Sequence, residues 1–442
     1  MKKLQLLSLA AVLAQAASAS PVSDLTLRVT PDREYVYRAG PREVIVQVEV
    51  EARKNDDTRR APMNLSIVLD RSGSMEGAKL EKARQAAAMA VDKLGDDDIF
   101  SLVTYDSDTN LLIAPERVGG QDHREDLKAR IHRIQPGGST ALHAGVVLGA
   151  KQVRRFFEKE RVNRVILLSD GIANVGPSKT SDLARLGREL RSDGIAVSTV
   201  GLGDDYNEDL MTALAESSNA NYYYVKDAEK LPGVFAQELG AARSLLARSI
   251  VIRIDAPEGV RLKEIIGRPD IVCRDRVAEI KMPELFGSEK RRFLVRAVAE
   301  GKTADAIEAA AVELNYATLS GDRAPAQRQA VKIAFTDDEK KAESSIQVEV
   351  AREHGIVQNR LAKEMAVKLA DEGKTKDAVA VLRSQTLKNL AAPAPQQVPG
   401  VREENRKLEE AAAEIDQDGR LDKSRRKAMQ FENYADKYQK SR

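Results

Sequence analysis

Apolar and polar positions change their rhythm several times along the chain. From Asp24 to Val50 they alternate with period two, most plainly at Val44, Val46, Val48 and Val50, with Pro and Gly between runs. This predicts half-buried antiparallel strands. From Met63 to about Leu245 the alternation gives way to short, nearly continuous apolar runs: NLSIVLD, DIFSLVTYD, RVILLSD, IAVSTVGLG and NYYYV. Helical patterns separate them, near Glu76 to Leu94, Arg124 to Ile134, Ala141 to Phe157, Ser181 to Arg191, Asn207 to Ser217 and from Asp227 onward. Apolar strands alternating with amphipathic helices predict an α/β unit, a doubly wound and mostly parallel sheet covered on both faces.

Alternation returns between Ser249 and Val350 in SIVIRIDAP, RRFLVRAVAE, AAVELNYATL, AVKIAF and SSIQVEV. The simplest arrangement joins these strands and the N-terminal ones in one β-sandwich, with the α/β unit inserted between them. The remainder is helical. Ile356 to Leu390 reads as an antiparallel helix pair turning at Gly373, with Ala362, Ala366, Leu369, Ala378 and Leu382 as its packing face. AAPAPQQVPG is Pro-rich and cannot continue a helix. The charged helix beyond it is therefore expected to be a separate, solvated module. The expected division is residues 20–61, N-terminal strands; 62–245, α/β domain; 246–352, β-rich domain; 353–390, helical hairpin; 391–400, linker; and 401–442, charged helix.

The first nineteen residues stand apart. Lys2 and Lys3 precede an apolar stretch from Leu4 to Leu13 and the small-residue site Ala17-Ser18-Ala19. That is the layout of a secretory signal peptide cleaved after Ala19. The mature protein is thus expected to be exported, periplasmic or secreted. No later stretch of about eighteen apolar residues follows, so no transmembrane segment is expected in it. Composition narrows the function further. Length alone, at 442 residues, gives room for about three domains. Lys plus Arg number 70 against 68 Asp plus Glu, and without Lys2 and Lys3 the chain is neutral. A balanced chain is not built to hold a nucleic-acid backbone or an anionic membrane, which both demand excess cationic charge. The single cysteine, Cys273, excludes an intrachain disulfide and a cysteine-cluster metal site. Four histidines without an H-E-x-x-H pair, and no tryptophan, argue against a histidine-zinc hydrolase and a tryptophan-lined sugar platform.

The candidate chemistry lies in the step from Leu65 to Met75, LSIVLDRSGSM. A buried strand delivers Asp70 to the carboxyl edge of the sheet, where open α/β folds bind ligands. Ser72 and Ser74 follow on a tight loop eased by Gly73. Thr140 stands in Gly137-Gly138-Ser139-Thr140 just before a helix, and a second buried strand delivers Asp170. All these side chains present oxygen and none presents nitrogen or sulfur. Hard divalent cations want that set, whereas zinc or copper draws histidine or thiolate. Two carboxylates with three hydroxyls leave such a cation one open position, and an external carboxylate is its natural filler.

Asp70-Arg71-Ser72-Gly73-Ser74, Thr140 in GGSTALHAGV and Asp170 in LLSDGIANVG together resemble the D-x-S-x-S, threonine and aspartate elements of the metal-ion-dependent adhesion site in von Willebrand factor type A (VWA) domains. The resemblance covers roughly Asn64 to Leu245 and keeps element order and spacing. It implies that Ser72, Ser74 and Thr140 ligate the cation directly, and Asp70 and Asp170 directly or through water. It also implies a Mg²⁺ site, with Mn²⁺ or Ca²⁺ as alternatives, and a protein partner that supplies Asp or Glu. The β-rich flanks and exported N-terminus are similar to bacterial secreted proteins that carry this domain.

Other polar clusters read as structural. Asp96-Asp97-Asp98 suits a solvated turn; Asp204, Asp205, Glu208 and Asp209 suit a helix start, where acids favour the macrodipole. Glu414 to Asp422 partly mimics a calcium loop, but Arg425 stands where its bidentate Glu belongs, so a helix-breaking turn is expected. His143 suits helix packing or the surface. An enzyme using Asp70 as a phosphoryl-accepting nucleophile is the competing function. It would place a second acid two residues on, where Ser72 stands, and the chain contains no G-x-x-x-x-G-K-[ST] loop and no G-x-S-x-G around its candidate serines. A non-enzymatic binding and adhesion module is the expectation.

Overall fold

The valine alternation near the N-terminus folds as strand β3 (Glu43–Ala52), preceded by β1 (Leu25–Pro31) and the short β2 (Tyr35–Tyr37). Val44, Val46, Val48 and Val50 all turn inward and are buried. The computed structural model describes residues 23–39, 42–54, 61–299, 305–391 and 399–439. The expected signal peptide, 1–19, and most of the expected Pro-rich linker lie outside the described residues.

The α/β unit comprises β4 (Met63–Asp70), β5 (Ile99–Tyr105), β6 (Thr109–Arg117), β7 (Val162–Ser169), β8 (Ala196–Leu202) and β9 (Tyr222–Val225). Its helices are α1 (Ala78–Lys93), α2 (Gln121–His132), α3 (Leu142–Arg155), α4 (Thr180–Ser192), α5 (Glu208–Ser217) and α6 (Leu231–Arg243). The sheet runs β6-β5-β4-β7-β8-β9, parallel throughout except between β5 and β6. Every residue of β4, β5 and β7 is buried, the physical reason those segments are continuously apolar in sequence. Leu65, Ile67 and Leu69 face a core with α1, α2 and α6, while Val68, Val103 and Val165 face one with α3, α4 and α5. The edge strand β6 is not evident in the hydrophobic pattern, because only two of its nine residues are buried.

After the α/β unit come β10 (Leu245–Asp255), β11 (Val260–Ile265), β12 (Cys273–Arg274), β13 (Val277–Phe286), β14 (Lys290–Ala299), β15 (Ala306–Ala317) and β16 (Gln327–Thr336). The N-terminal strands join them in two sheets, β1-β3-β14-β11 and β12-β13-β10-β15-β16-β2. Pairing is antiparallel except between β16 and β2. The sheets share one core, to which Val46, Val48, Ile252, Ile254, Val312 and Leu314 contribute. The two sheets form a sandwich, and the α/β unit is inserted between β3 and β10.

Two expectations need correction. The alternating stretch SSIQVEV is not a strand: it ends α7 (Glu339–Ser344) and opens α8 (Val348–Asp371). Val350 packs inward while Val348 is half exposed, so the alternation marks one side of a helix start. The second correction concerns the C-terminus. The hairpin of α8 and α9 (Thr375–Ala391) turns at Gly373, whose φ of +75° favours glycine. Beyond it the charged segment forms α10 (Pro399–Asp418) and α11 (Lys423–Tyr438), separated at Gly419 within the helix-breaking turn expected there, with Asp422 capping the second. But α11 is not a solvated, separate element. Phe431, Tyr434 and Tyr438 fall on one helix face and pack into the α/β core, Tyr434 edge-on to Tyr222 at 5.8 Å and bonded to the Ala220 carbonyl. Gln439 exchanges hydrogen bonds of 2.7 and 2.8 Å with the Arg292 backbone of β14. On α8, Lys363 is buried among Glu404, Glu432 and Asp436. In α11, Arg426, Lys427 and Lys437 pair with Glu208, Asp209 and Glu216 of α5. Among the described residues, no helix is long and apolar enough to cross a membrane.

Candidate metal centre

Strand β4 ends at Asp70 and β7 ends one residue before Asp170, so the parallel sheet sets both carboxylates at its carboxyl edge. There the chain reverses from one side of β4 to the other, the crevice in which such sheets bind ligands. Asp70 Oδ1 accepts the Ser72 amide at 2.9 Å and Oδ2 accepts the Ser169 hydroxyl at 2.8 Å. The Ser72 and Ser74 hydroxyls lie 3.2 Å apart, and Ser74 Oγ donates to Asp170 Oδ1 at 2.7 Å. Thr140 joins across Gly171: a Cβ on that glycine would stand 3.1 Å from Thr140 Oγ1 and 3.4 Å from Ser74 Oγ. The five residues expected at the site are thus brought together.

The supporting loops are tied down by backbone and ion pairs. Gly73 N–H donates to the Gly138 carbonyl at 3.0 Å and Gly137 N–H to the Arg71 carbonyl at 2.6 Å. Arg71 in turn pairs with the buried Asp106 carboxylate at 2.6 Å. Any side chain at Gly137 would collide with that carboxylate, since a Cβ would lie 1.9 Å from Asp106 Oδ2. On the far side the Thr140 amide donates to Asn174 Oδ1 at 2.9 Å.

The charge balance of the site is uneven. Asp70 and Asp170 are both fully buried. Asp170 Oδ2 meets the Lys79 ammonium at 2.5 Å, whereas the donors to Asp70, from Ser72 and Ser169, are neutral. Burial therefore pushes the Asp70 carboxyl up to about 6, with Asp170 adding to the shift against the serine hydrogen bonds. Glu238 shows the contrast. It is equally buried, but the Arg164 guanidinium and the side chains of Ser198, Asn221 and Tyr223 hold it below the ordinary glutamate range despite desolvation. A buried carboxylate short of positive charge, set among three hydroxyls, suits a hard divalent cation.

The remaining polar clusters serve structure. Asp98 accepts the Met63 and Gly95 amides, and Asp96 and Asp97 pair with Arg124 and Arg117. Glu208 and Asp209 open α5 as expected but also bind Arg426 and Lys427 of α11. His143 faces Asp182, Arg185 and Glu189 of α4, and burial lowers its pKa. Arg425 pairs with Glu414 at 3.3 Å beside the break after α10. Sequence reasoning passed over Lys79, Ser169 and Asn174. Only position could have marked them: Lys79 lies in the first turn of the helix after the motif, and the other two flank Asp170.

The family model described as von Willebrand factor type A domain matches residues 64–237. These residues form a VWA domain. The uncharacterized protein sll0103 of Synechocystis sp. is 31% identical over 192 residues, which span 43% of this chain and 44% of that protein. The chain thus spans less than half the length of the curated relatives it first matches. The solved structure of a von Willebrand factor type A protein from Catenulispora acidiphila superposes with a TM-score of 0.66 at 18% identity, over 88% of this chain and 96% of that one. The ArnB paralog VWA2 from Sulfolobus acidocaldarius gives a TM-score of 0.58 at 18% identity, over 94% of this chain and 99% of that one. Such coverage extends the shared fold beyond the VWA domain to the sandwich and the helices.

Proposed function

We propose that this protein is an exported, metal-dependent binding module that captures an acidic side chain of a partner protein. The observation that carries the reading is the convergence of two buried carboxylates and three hydroxyls, with Asp70 short of positive charge. Asp70 and Asp170 would supply negative charge to a divalent cation, Mg²⁺ first and Mn²⁺ or Ca²⁺ as alternatives, and Ser72, Ser74 and Thr140 neutral oxygen. When bound, the cation offers a Lewis-acidic position to one external carboxylate oxygen. VWA domains commonly mediate protein-protein interaction and adhesion, which agrees with capture in place of turnover. The tripartite N-terminus supports export.

The test is calorimetric titration of Mg²⁺ and Mn²⁺ into chelator-stripped protein, wild type beside Asp70→Ala. Removing a full negative charge should lower affinity by roughly a hundredfold, consistent with the few kcal/mol carried by a buried charge contact. Ser72→Ala and Thr140→Ala should lose less, because water partly replaces a neutral ligand. Equal metal uptake by wild type and Asp70→Ala would overturn the assignment.

A further inference from the structure

The loop that follows Asp170 carries an unusual combination of apolar exposure and rigidity. Ile172 is 61% exposed and Val175 36%, although a folding chain gains by burying such side chains. Gly171 between Asp170 and Ile172 faces the Thr140 and Ser74 hydroxyls, so the Ile172 Cα follows, at about 3.8 Å, the Cα of a glycine that borders two of the proposed ligands. The loop is held in place. Asn174 N–H and Val175 N–H donate to the Thr140 carbonyl at 3.3 and 3.4 Å, and Asn174 Oδ1 accepts the Thr140 amide at 2.9 Å. Ala173 is buried beneath. Ile172 and Val175 are therefore displayed by a loop fastened to one of the proposed ligands. On the neighbouring loops Ser107, Asp108 and Ser139 are polar, Ser107 and Ser139 exposed and Asp108 partly so.

We infer that Ile172 and Val175 form an apolar subsite that selects partner segments in which a large apolar residue stands within two positions of the captured Asp or Glu. The inference rests on the metal-dependent reading above and deepens it. Charge complementarity names the acid, since a cation held by Asp70 and Asp170 draws a carboxylate to this edge. Continuity names its neighbour: an extended segment advances about 3.4 Å per residue, so a side chain one or two positions from the acid reaches Ile172. Covering the two side chains adds binding energy through apolar burial, and the rigid loop loses little entropy in the process.

The experiment selects short displayed peptides, each with one fixed Asp and randomised flanks, on the full chain loaded with Mn²⁺, and elutes them with EDTA. Wild type should enrich Leu, Ile, Phe or Met next to the Asp. Ile172→Ser should lose that enrichment and bind the selected peptides on the order of tenfold more weakly, while Ile172→Leu retains both. Because Ile172 is exposed, Mn²⁺ uptake by Ile172→Ser should equal that of wild type in calorimetry. Polar flanks, or unchanged enrichment with Ile172→Ser, would overturn the subsite and leave metal-dependent capture standing. No EDTA-sensitive recovery from a metal-loaded protein, or a wild-type protein that takes up no Mn²⁺, would overturn both.

Discussion

Lys79 brings a positive charge to the candidate centre, and its geometry makes it the counter-ion of Asp170. Its ammonium meets Asp170 Oδ2 at 2.5 Å, with the lysine side chain one-third exposed and the aspartate fully buried. Breaking a buried ion pair strands the other charge, at a cost of about 3–5 kcal/mol, and partial exposure reduces this to about 1–2 kcal/mol here. Lys79→Met keeps the length of the side chain and removes the charge. In chelator it should therefore melt below wild type, and Mg²⁺ should narrow the gap by restoring positive charge beside Asp170. Identical melting of the two chelated proteins would show that the pair contributes nothing. The residue scale also marks what sequence could reveal. Asp70, Ser72, Ser74, Thr140 and Asp170 were legible because each stands at a strand or helix end, where pattern and chemistry coincide. Lys79 was not, since one lysine in the first turn of a charged helix carries no mark until the fold aims it at a carboxylate 91 residues away.

At the scale of elements, α11 shows where charge composition misleads. Lys427 is buried against the Tyr206 carbonyl, at 2.9 Å, and the Glu208 carboxylate. Arg426 bridges Glu208, Asp209 and Asp371, which ties α5 to α8. A chain read one residue at a time counts these cations as solvated, because their partners lie more than two hundred positions away or on another helix. The aromatic face was the legible signal, with Phe431, Tyr434 and Tyr438 three and four residues apart. Tyr434→Ala should cost about 3 kcal/mol, the usual loss for truncating a buried aromatic. Tyr434→Phe, which gives up only the hydrogen bond to Ala220, should cost about 1 kcal/mol. Urea unfolding measures both, and a Tyr434→Ala midpoint equal to that of wild type would mean that α11 does not hold the VWA domain. The strands tell the converse story: β4 and β7 were evident because their burial is complete, and β3 because its alternating valines are all buried, while β6 is an edge strand with only two of its nine residues buried.

For the whole molecule the insertion governs how the parts lose structure. The VWA domain leaves the sandwich at β3, an inner strand of one sheet, and returns at β10, an inner strand of the other. Unfolding it frees both inner strands at once. A second tie closes the loop: α11 packs on Tyr222, Gln439 bonds Arg292 of β14, and Arg268 stands 5.4 Å from the Tyr438 ring. Arg164 at the foot of β7 adds a third, buried against Glu238 and 3.8 Å from Glu284 of β13. Chains of several units often melt in several steps, because few contacts cross their boundaries. Here the boundaries carry aromatic packing, backbone hydrogen bonds and a buried ion pair. Scanning calorimetry of the full chain should accordingly show one transition, with calorimetric and van't Hoff enthalpies in agreement. Cation binding at the edge of the VWA sheet should then raise the whole transition, since a ligand specific to the native state stabilises everything that unfolds with its site, by about 2.7 kcal/mol at a hundred times its Kd. Two transitions, of which Mg²⁺ moves only one, would show that the sandwich and helices melt independently of the metal centre.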